Sequence, residues 1–312
     1  MTANSTCKYY LSLSPLLNPW DLSDNCSWET VFGRRVPLEL EIGFGNGEFL
    51  ARNSVLAPER DFVGLELSWN SIKRALRRIN RPPRSNVKLI RIPGRLALER
   101  LFAPNSLEVI RCLFPVPWPN PKMANKRLFS TTFLDLVANR LIGQGFFQMV
   151  TDNRELADWT NEQATISALE LEMVESQAKF DTKYERKWQD GGREIFFHFI
   201  GRKRFHKEIP ALDSCCMQTF FSDRIDPFDY SPPNFLGQPT VVFGQFIYDS
   251  RIGQGLIRTK VVESNFAQEF YIKLSEVSQG RFQISPALPR QIFPTDGVNL
   301  ALSLASLNEV PK

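Results

Sequence analysis

Glycines 43, 45 and 47 follow Glu41 in Glu41-Ile-Gly-Phe-Gly-Asn-Gly47, and a second acid, Glu66, stands 25 residues after Glu41. Glycine reaches backbone conformations closed to other residues, so such a turn lets a ligand approach the chain closely. An acid at the end of the next strand can accept ribose hydroxyls, as in nucleotide-binding α/β folds. The spacing fits neither the phosphate loop GxxxxGK[ST] nor the dinucleotide fingerprint GxGxxG. Each Glu alone also fits a solvated strand end or a partner for nearby arginines.

Three further segments carry candidate chemistry. Leu113-Phe-Pro-Val-Pro-Trp-Pro119 puts three prolines and Trp118 at a strand end. The prolines stiffen the exit, the indole offers a flat face for a base, and Lys122, Lys126 and Arg127 suit phosphate. A plain Pro-Trp corner covering the sheet is the alternative. Thr151-Asp152 closes another strand, where Asp152 reads as the next helix's N-cap with Glu155 in capping-box position. Thr182-Lys183-Tyr184-Glu185-Arg-Lys reads as a polar loop ahead of a strand over residues 194–200.

Charge is segregated. Between Glu66 and Glu99 there is no acid, yet nine cations occur: Lys73, Arg74, Arg77, Arg78, Arg81, Arg84, Lys88, Arg91 and Arg95. Such a block attracts polyanions without regard to sequence; a solvated helix face is the alternative. The net charge is +4 over 312 residues, made of +6 in residues 1–205 and −2 in residues 206–312.

These residues need positioning elements, and the pattern supplies them. Strands are expected over residues 37–42, 61–67, 87–92, 107–114 and 146–150. Helices are expected over residues 48–55, 71–79 (apolar at 72, 75, 76 and 79) and 131–141, the last ended by Gly143 and Gly145. Strands alternating with helices predict a mostly parallel α/β sheet with helices on both faces, binding ligands beyond its carboxyl ends. Past Phe205 the texture changes to short strands near 240–248, 255–262, 270–277 and 281–285. The predicted domains are therefore 1–205 and a small β-rich extension, 206–312, joined by a turn-rich stretch at 210–239.

Composition bounds the function. With 43% apolar and 12% aromatic residues the chain can bury a sizeable core. Two histidines and five cysteines without a CxxC pair argue against a His-ligated metal, a zinc ribbon or a disulfide framework, with Cys215 and Cys216 adjacent. No metal is expected. No apolar run reaches a membrane span, and the run from Tyr9 to Leu17, preceded by Lys8 alone, does not read as a signal peptide. Reduced thiols point to the cytoplasm.

Taken in order, Leu40-Glu41-Ile-Gly-Phe-Gly-Asn-Gly-Glu48, Phe62-Val-Gly-Leu-Glu66, Phe114-Pro-Val-Pro-Trp-Pro119, Lys126-Arg127, Thr151-Asp152 and Thr182-Lys-Tyr-Glu185 are similar to the motifs of bacterial tRNA (guanine-N7)-methyltransferases. The resemblance spans roughly residues 30–205. It implies a Rossmann-like class I methyltransferase domain that moves a methyl from S-adenosylmethionine to N7 of a guanosine in the tRNA variable loop. It implies Glu41 and Glu66 as cofactor ligands, with Gly43, Gly45 and Gly47 shaping the pocket. Asp152, Thr182, Lys183, Tyr184 and Glu185 would hold the guanosine.

The chain departs from the family pattern at four places. Val116 replaces the motif Asp that is the usual catalytic candidate, Asn120 replaces a Lys, Pro93 aligns with an acid, and Lys122-Met123 with an Arg-His pair. Asp152 or Glu185 becomes the candidate for the missing carboxylate's role, Asp152 first. The alternative to an active enzyme is an RNA-binding homologue that keeps the fold without turnover. A small-molecule methyltransferase would fit the glycines and acids but not the acid-free basic block.

Overall fold

In the computed structural model, which describes residues 11–22, 25–192, 195–209, 217–263 and 266–308, the chain divides into units 1–211 and 212–312. Lys8, Tyr9, Glu194, Cys215, Cys216 and the first residues of the 210–239 connector lie outside the described residues.

The first unit runs β1 (Leu16–Leu17), α1 (Trp28–Phe32), β2 (Leu38–Ile42), α2 (Glu48–Leu56), β3 (Asp61–Leu65), α3 (Trp69–Ile79), β4 (Val87–Ile90), α4 (Gly94–Arg100) and β5 (Leu107–Leu113). It continues through α5 (Thr131–Arg140), β6 (Leu141–Thr151), α6 (Arg154–Ala164), β7 (Leu169–Ser176), α7 (Lys183–Asp190) and β8 (Phe196–Lys203). Its eight strands form one sheet in the order β1-β4-β3-β2-β5-β6-β8-β7. The pairs from β1 to β6 are parallel, and β8 is antiparallel to both its neighbours. The chain winds outward from β2 to β4, then crosses back to β5 on the other side of β2. That reversal opens a crevice beyond the carboxyl ends of β2 and β5, where sheets of this kind bind ligands. The expected α/β architecture is what forms.

Local sequence explains the elements around this crevice. Ser68 caps α3 by accepting from Ser71 N–H. Ile72, Ala75, Leu76 and Ile79 are fully buried against β3 and β4 residues such as Phe62, Val87 and Leu89. Each large aliphatic there contributes about 1.5–3 kcal/mol of burial. The opposite face of the helix carries Arg74, Arg77 and Arg78, all exposed.

Two local expectations are corrected. Gly143 and Gly145 do not end a helix. α5 stops at Arg140 and β6 begins at once, with its register to β5 slipping between Leu141 and Phe146. A Cβ on Gly145 would lie 2.8 Å from Glu108 O, so this glycine serves a strand irregularity. Residues 182–185 are not a loop either: Thr182 caps α7.

The second unit holds β9 (Phe220–Ser222), β10 (Thr240–Asp249), β11 (Gln254–Glu263), β12 (Phe266–Ser278) and β13 (Arg281–Pro286), followed by α8 (Asp296–Ala305). The strands make an antiparallel sheet in the order β10-β11-β12-β13-β9. α8 was not anticipated; its Val298, Ala301 and Leu302 pack into the same core as Ile257, Ile272 and Ile284.

Candidate functional site

The glycine turn joins β2 to α2, and all three of its glycines have φ in the left-handed region: +74° at Gly43, +56° at Gly45 and +70° at Gly47. They serve different ends. A Cβ on Gly47 would lie 2.4 Å from the Ala75 Cβ, so its absence lets α2 seat against α3. A Cβ on Gly43 would meet nothing within 4 Å, which leaves this backbone open on the crevice side.

The two acids are built in contrasting ways. Glu66, just past β3, accepts Leu67 N–H (2.8 Å) and Ser68 N–H (2.9 Å) on Oε1 and Gly45 N–H (3.0 Å) on Oε2. It therefore ties the glycine turn to the end of β3. A carboxylate has about four acceptor sites, so Oε2 keeps capacity for one further donor. Glu41, near the end of β2, is only 5% exposed, and its Oε2 is buried without a hydrogen-bond partner. Burial pushes its carboxyl up to about 8; Arg111 and Arg52 pull it down, and Glu66 adds to the rise. A buried acceptor left open beside an open backbone turn fits a ligand that brings a donor or a positive charge.

Phe114 to Pro119 leave β5 under backbone strain, with φ of +57° at Phe114 and +46° at Trp118. The Phe114 ring stacks on Tyr184 at 5.9 Å and meets Phe196 edge-on at 5.6 Å. Val116 sits on this stretch and is 62% exposed. Arg127 does not face solvent as a phosphate contact. It is buried and donates to the carbonyls of Pro117 and Trp118 and to Glu155, holding the strained stretch shut. Lys126 lies 5.1 Å from the Trp118 ring centroid, so a cation already covers that indole.

The Thr182 hydroxyl accepts Glu185 N–H, and Glu185 returns the bond by accepting Thr182 N–H at 2.8 Å. Glu185 also accepts Lys179 N–H and Phe180 N–H, and it is fully buried. Thr182 and Glu185 thus shape the turn, while Lys183 and Tyr184 are exposed beside the glycine loop. A Cβ on Gly45 would lie 3.7 Å from the Tyr184 ring. Arg186 pairs with Glu48 at 2.6 Å, fastening α7 to α2. Asp152 ends up just past β6 but is not the cap of α6; Asn153 takes that position, accepting Leu156 N–H at 2.7 Å. The structure therefore brings Gly45 beside both Glu66 and Tyr184 and stacks Tyr184 on Phe114, with Gly43 in the same turn and Glu41 buried at the end of β2.

Asn46, Arg74, Arg77, Arg78 and Lys183 line a cavity that joins the glycine turn to the basic face of α3. Among the described residues no cluster of His, Cys, Asp and Glu could hold a metal ion. No helix among them is long and apolar enough to cross a membrane. Two signals in the sequence were open to a fuller reading: the Thr-x-x-Glu spacing of a capping box at 182–185, and Asn153 as a cap.

A family model described as a putative methyltransferase matches residues 35–198. The chain is 34% identical over 192 residues to a tRNA (guanine-N(7)-)-methyltransferase of Chlorobium phaeobacteroides, covering 61% of this chain and 94% of that protein. It is 36% identical over 180 residues to the protein of that name from Thermotoga maritima, covering 56% of this chain and 57% of that protein. The match thus spans little more than half the length of the Thermotoga relative. A third protein of that name, from Aquifex aeolicus, is 26% identical over 250 residues, covering 78% of this chain and 84% of its own. That match is longer than the first unit, so it extends into the second.

Proposed function

The chain belongs to the methyltransferase family that holds the tRNA (guanine-N(7)-)-methyltransferases, and on that premise we propose that it transfers a methyl from S-adenosylmethionine to N7 of a guanosine in the variable loop of tRNA, in the cytoplasm. The observation that carries the reading is Glu41: a buried carboxyl group with an open Oε2, at the carboxyl end of the strand that enters the glycine turn. The amino group of the cofactor is a donor of the kind that this atom lacks. Glu66 would accept a ribose hydroxyl on Oε2, and the open backbone at Gly43, with Gly45 beyond it in the same turn, would border the cofactor. Gly47 supports the pocket by letting α2 and α3 pack.

When bound, S-adenosylmethionine supplies a methyl on a cationic sulfur. Guanine N7 carries a free lone pair, so no base is needed to remove a proton. Alignment of N7 with the methyl then supplies much of the acceleration. Tyr184, stacked on Phe114, and Lys183 stand where a guanosine would be oriented, with Thr182 and Glu185 fixing the turn that presents them. The methylated base is cationic, and a nearby carboxylate stabilises such charge. Val116 has none to offer, so Asp152 is our candidate. The basic face of α3 would take the tRNA backbone.

The test is transfer of labelled methyl from S-adenosylmethionine to tRNA by the full chain. Label in tRNA that is lost when Asp152 is replaced by Ala, with tRNA binding retained, supports the assignment. Label retained at the wild-type rate removes Asp152 from the site.

A further inference from the structure

The carboxyl end of α3, the turn after it and the segment leading into β1 enclose a second cavity. Arg77, Arg81 and Arg84 line it, together with Asn80, Ser12 and Ser14, and among the described residues no Asp or Glu does. The wall is built rather than incidental. Asn80 Nδ2 donates to Ser12 O at 2.9 Å and to Leu76 O at 2.9 Å, stitching the segment before β1 to the helix end. Arg84 is held by its Nη1, which donates to Arg78 O at 2.7 Å, while its Nε is buried with no acceptor. Burial pulls this guanidinium below its ordinary value, a penalty that an anion beside it would offset.

We propose that this cavity binds a backbone phosphate of the RNA, separately from the methyl-transfer site. The inference rests on the reading of tRNA as substrate and names where its backbone is gripped. An RNA phosphodiester is favoured over a lone anion because the cations continue beyond the cavity. Arg77 also lines the cavity beside Asn46, Arg74, Arg78 and Lys183, and Arg81 and Arg84 also line one with Arg52, Arg78 and a single acid, Glu48. A row of this kind matches successive phosphates along a chain, where a small anion needs only one pocket.

The experiment measures tRNA affinity of the full chain across a salt series, for wild type, Arg84→Gln and Ser14→Asp. Ser14 is exposed, so its variant keeps the test sound if Arg84→Gln unfolds. Loss of one phosphate contact lowers the slope of log affinity against log salt by about 0.7–0.9. We expect that change for Arg84→Gln and weaker binding for Ser14→Asp. Wild-type slope and affinity in both variants overturn the proposal. Inorganic phosphate is the second probe: if it raises the melting temperature of wild type but not of Arg84→Gln while the RNA slope stays unchanged, the cavity takes a free anion and the RNA assignment is wrong. Methyl transfer with unaltered slopes sinks this inference alone. Altered slopes without methyl transfer leave the cavity standing and remove the proposed reaction.

Discussion

The ends of β2 and β5 border the same crevice and are built in opposite ways. At β2, a carboxyl group is buried with one oxygen unpartnered, and the following turn needs three left-handed glycines. At β5, the backbone is strained through aromatic residues, and the position of interest, Val116, stands in solvent. The difference separates chemistry that depends on burial from chemistry that depends only on which side chain a loop presents. Changes at the first end disturb the fold itself. At the second, a side chain such as Val116 can change with little consequence for packing.

The largest expected effect lies within the glycine turn. Gly47→Ala meets Ala75 and adopts a left-handed φ, so it should destabilise the protein by about 2–4 kcal/mol. Gly43→Ala has open space and should lose only the conformational part, about 1–2 kcal/mol. Chemical denaturation of both variants checks this; equal losses would mean that the α2–α3 approach is not what Gly47 provides.

Glu66→Ala should weaken S-adenosylmethionine binding by about 1–3 kcal/mol, the usual cost of removing a charged hydrogen-bond acceptor. Unchanged affinity by calorimetry would remove Glu66 from the pocket and break the comparison at its first end. At the second end, Val116→Asp should shift stability by no more than about 0.5 kcal/mol, because the side chain is exposed. It should raise the single-turnover rate about tenfold, equivalent to about 1.4 kcal/mol, by restoring a carboxylate near the cationic product. A slower variant would indicate that another residue, Asp152 first, has taken over the role.

A pH dependence tests the buried acid at the first end. The Glu41 carboxyl titrates near 8 in the folded chain against an ordinary value of 4.5. Between those values the folded state holds more protons than the unfolded one, so Glu41 makes stability fall as pH rises across that window. Glu41→Gln should flatten this fall in a series of melting temperatures. A cationic cofactor should lower the Glu41 value and release part of a proton on binding near pH 7, visible as a heat that varies with the buffer. Identical heats in buffers of different ionisation enthalpy would detach Glu41 from the cofactor.

Much of this was legible before any coordinates. The 72-75-76-79 spacing foretold α3, and Glu41 and Glu66 were recognisable at strand ends because a strand ending in glycines is a local pattern. Arg127 was misread since its partners, the carbonyls of Pro117 and Trp118 and the acid Glu155, meet it only through tertiary folding. The open Oε2 of Glu41 is likewise a matter of what surrounds it. α8 is apolar on most of its surface and so lacks the amphipathic period that marks α3; Thr295, its cap, was the available signal.

The central claim is tested most directly by mapping the product. tRNA incubated with the full chain and S-adenosylmethionine is treated with borohydride and aniline, which cleave the strand where guanosine carries an N7 methyl. The account predicts one new cleavage site, within the variable loop, absent when the cofactor is omitted. Bound tRNA and bound cofactor with no cleavage, or a methyl found on another atom or in another loop, would contradict it.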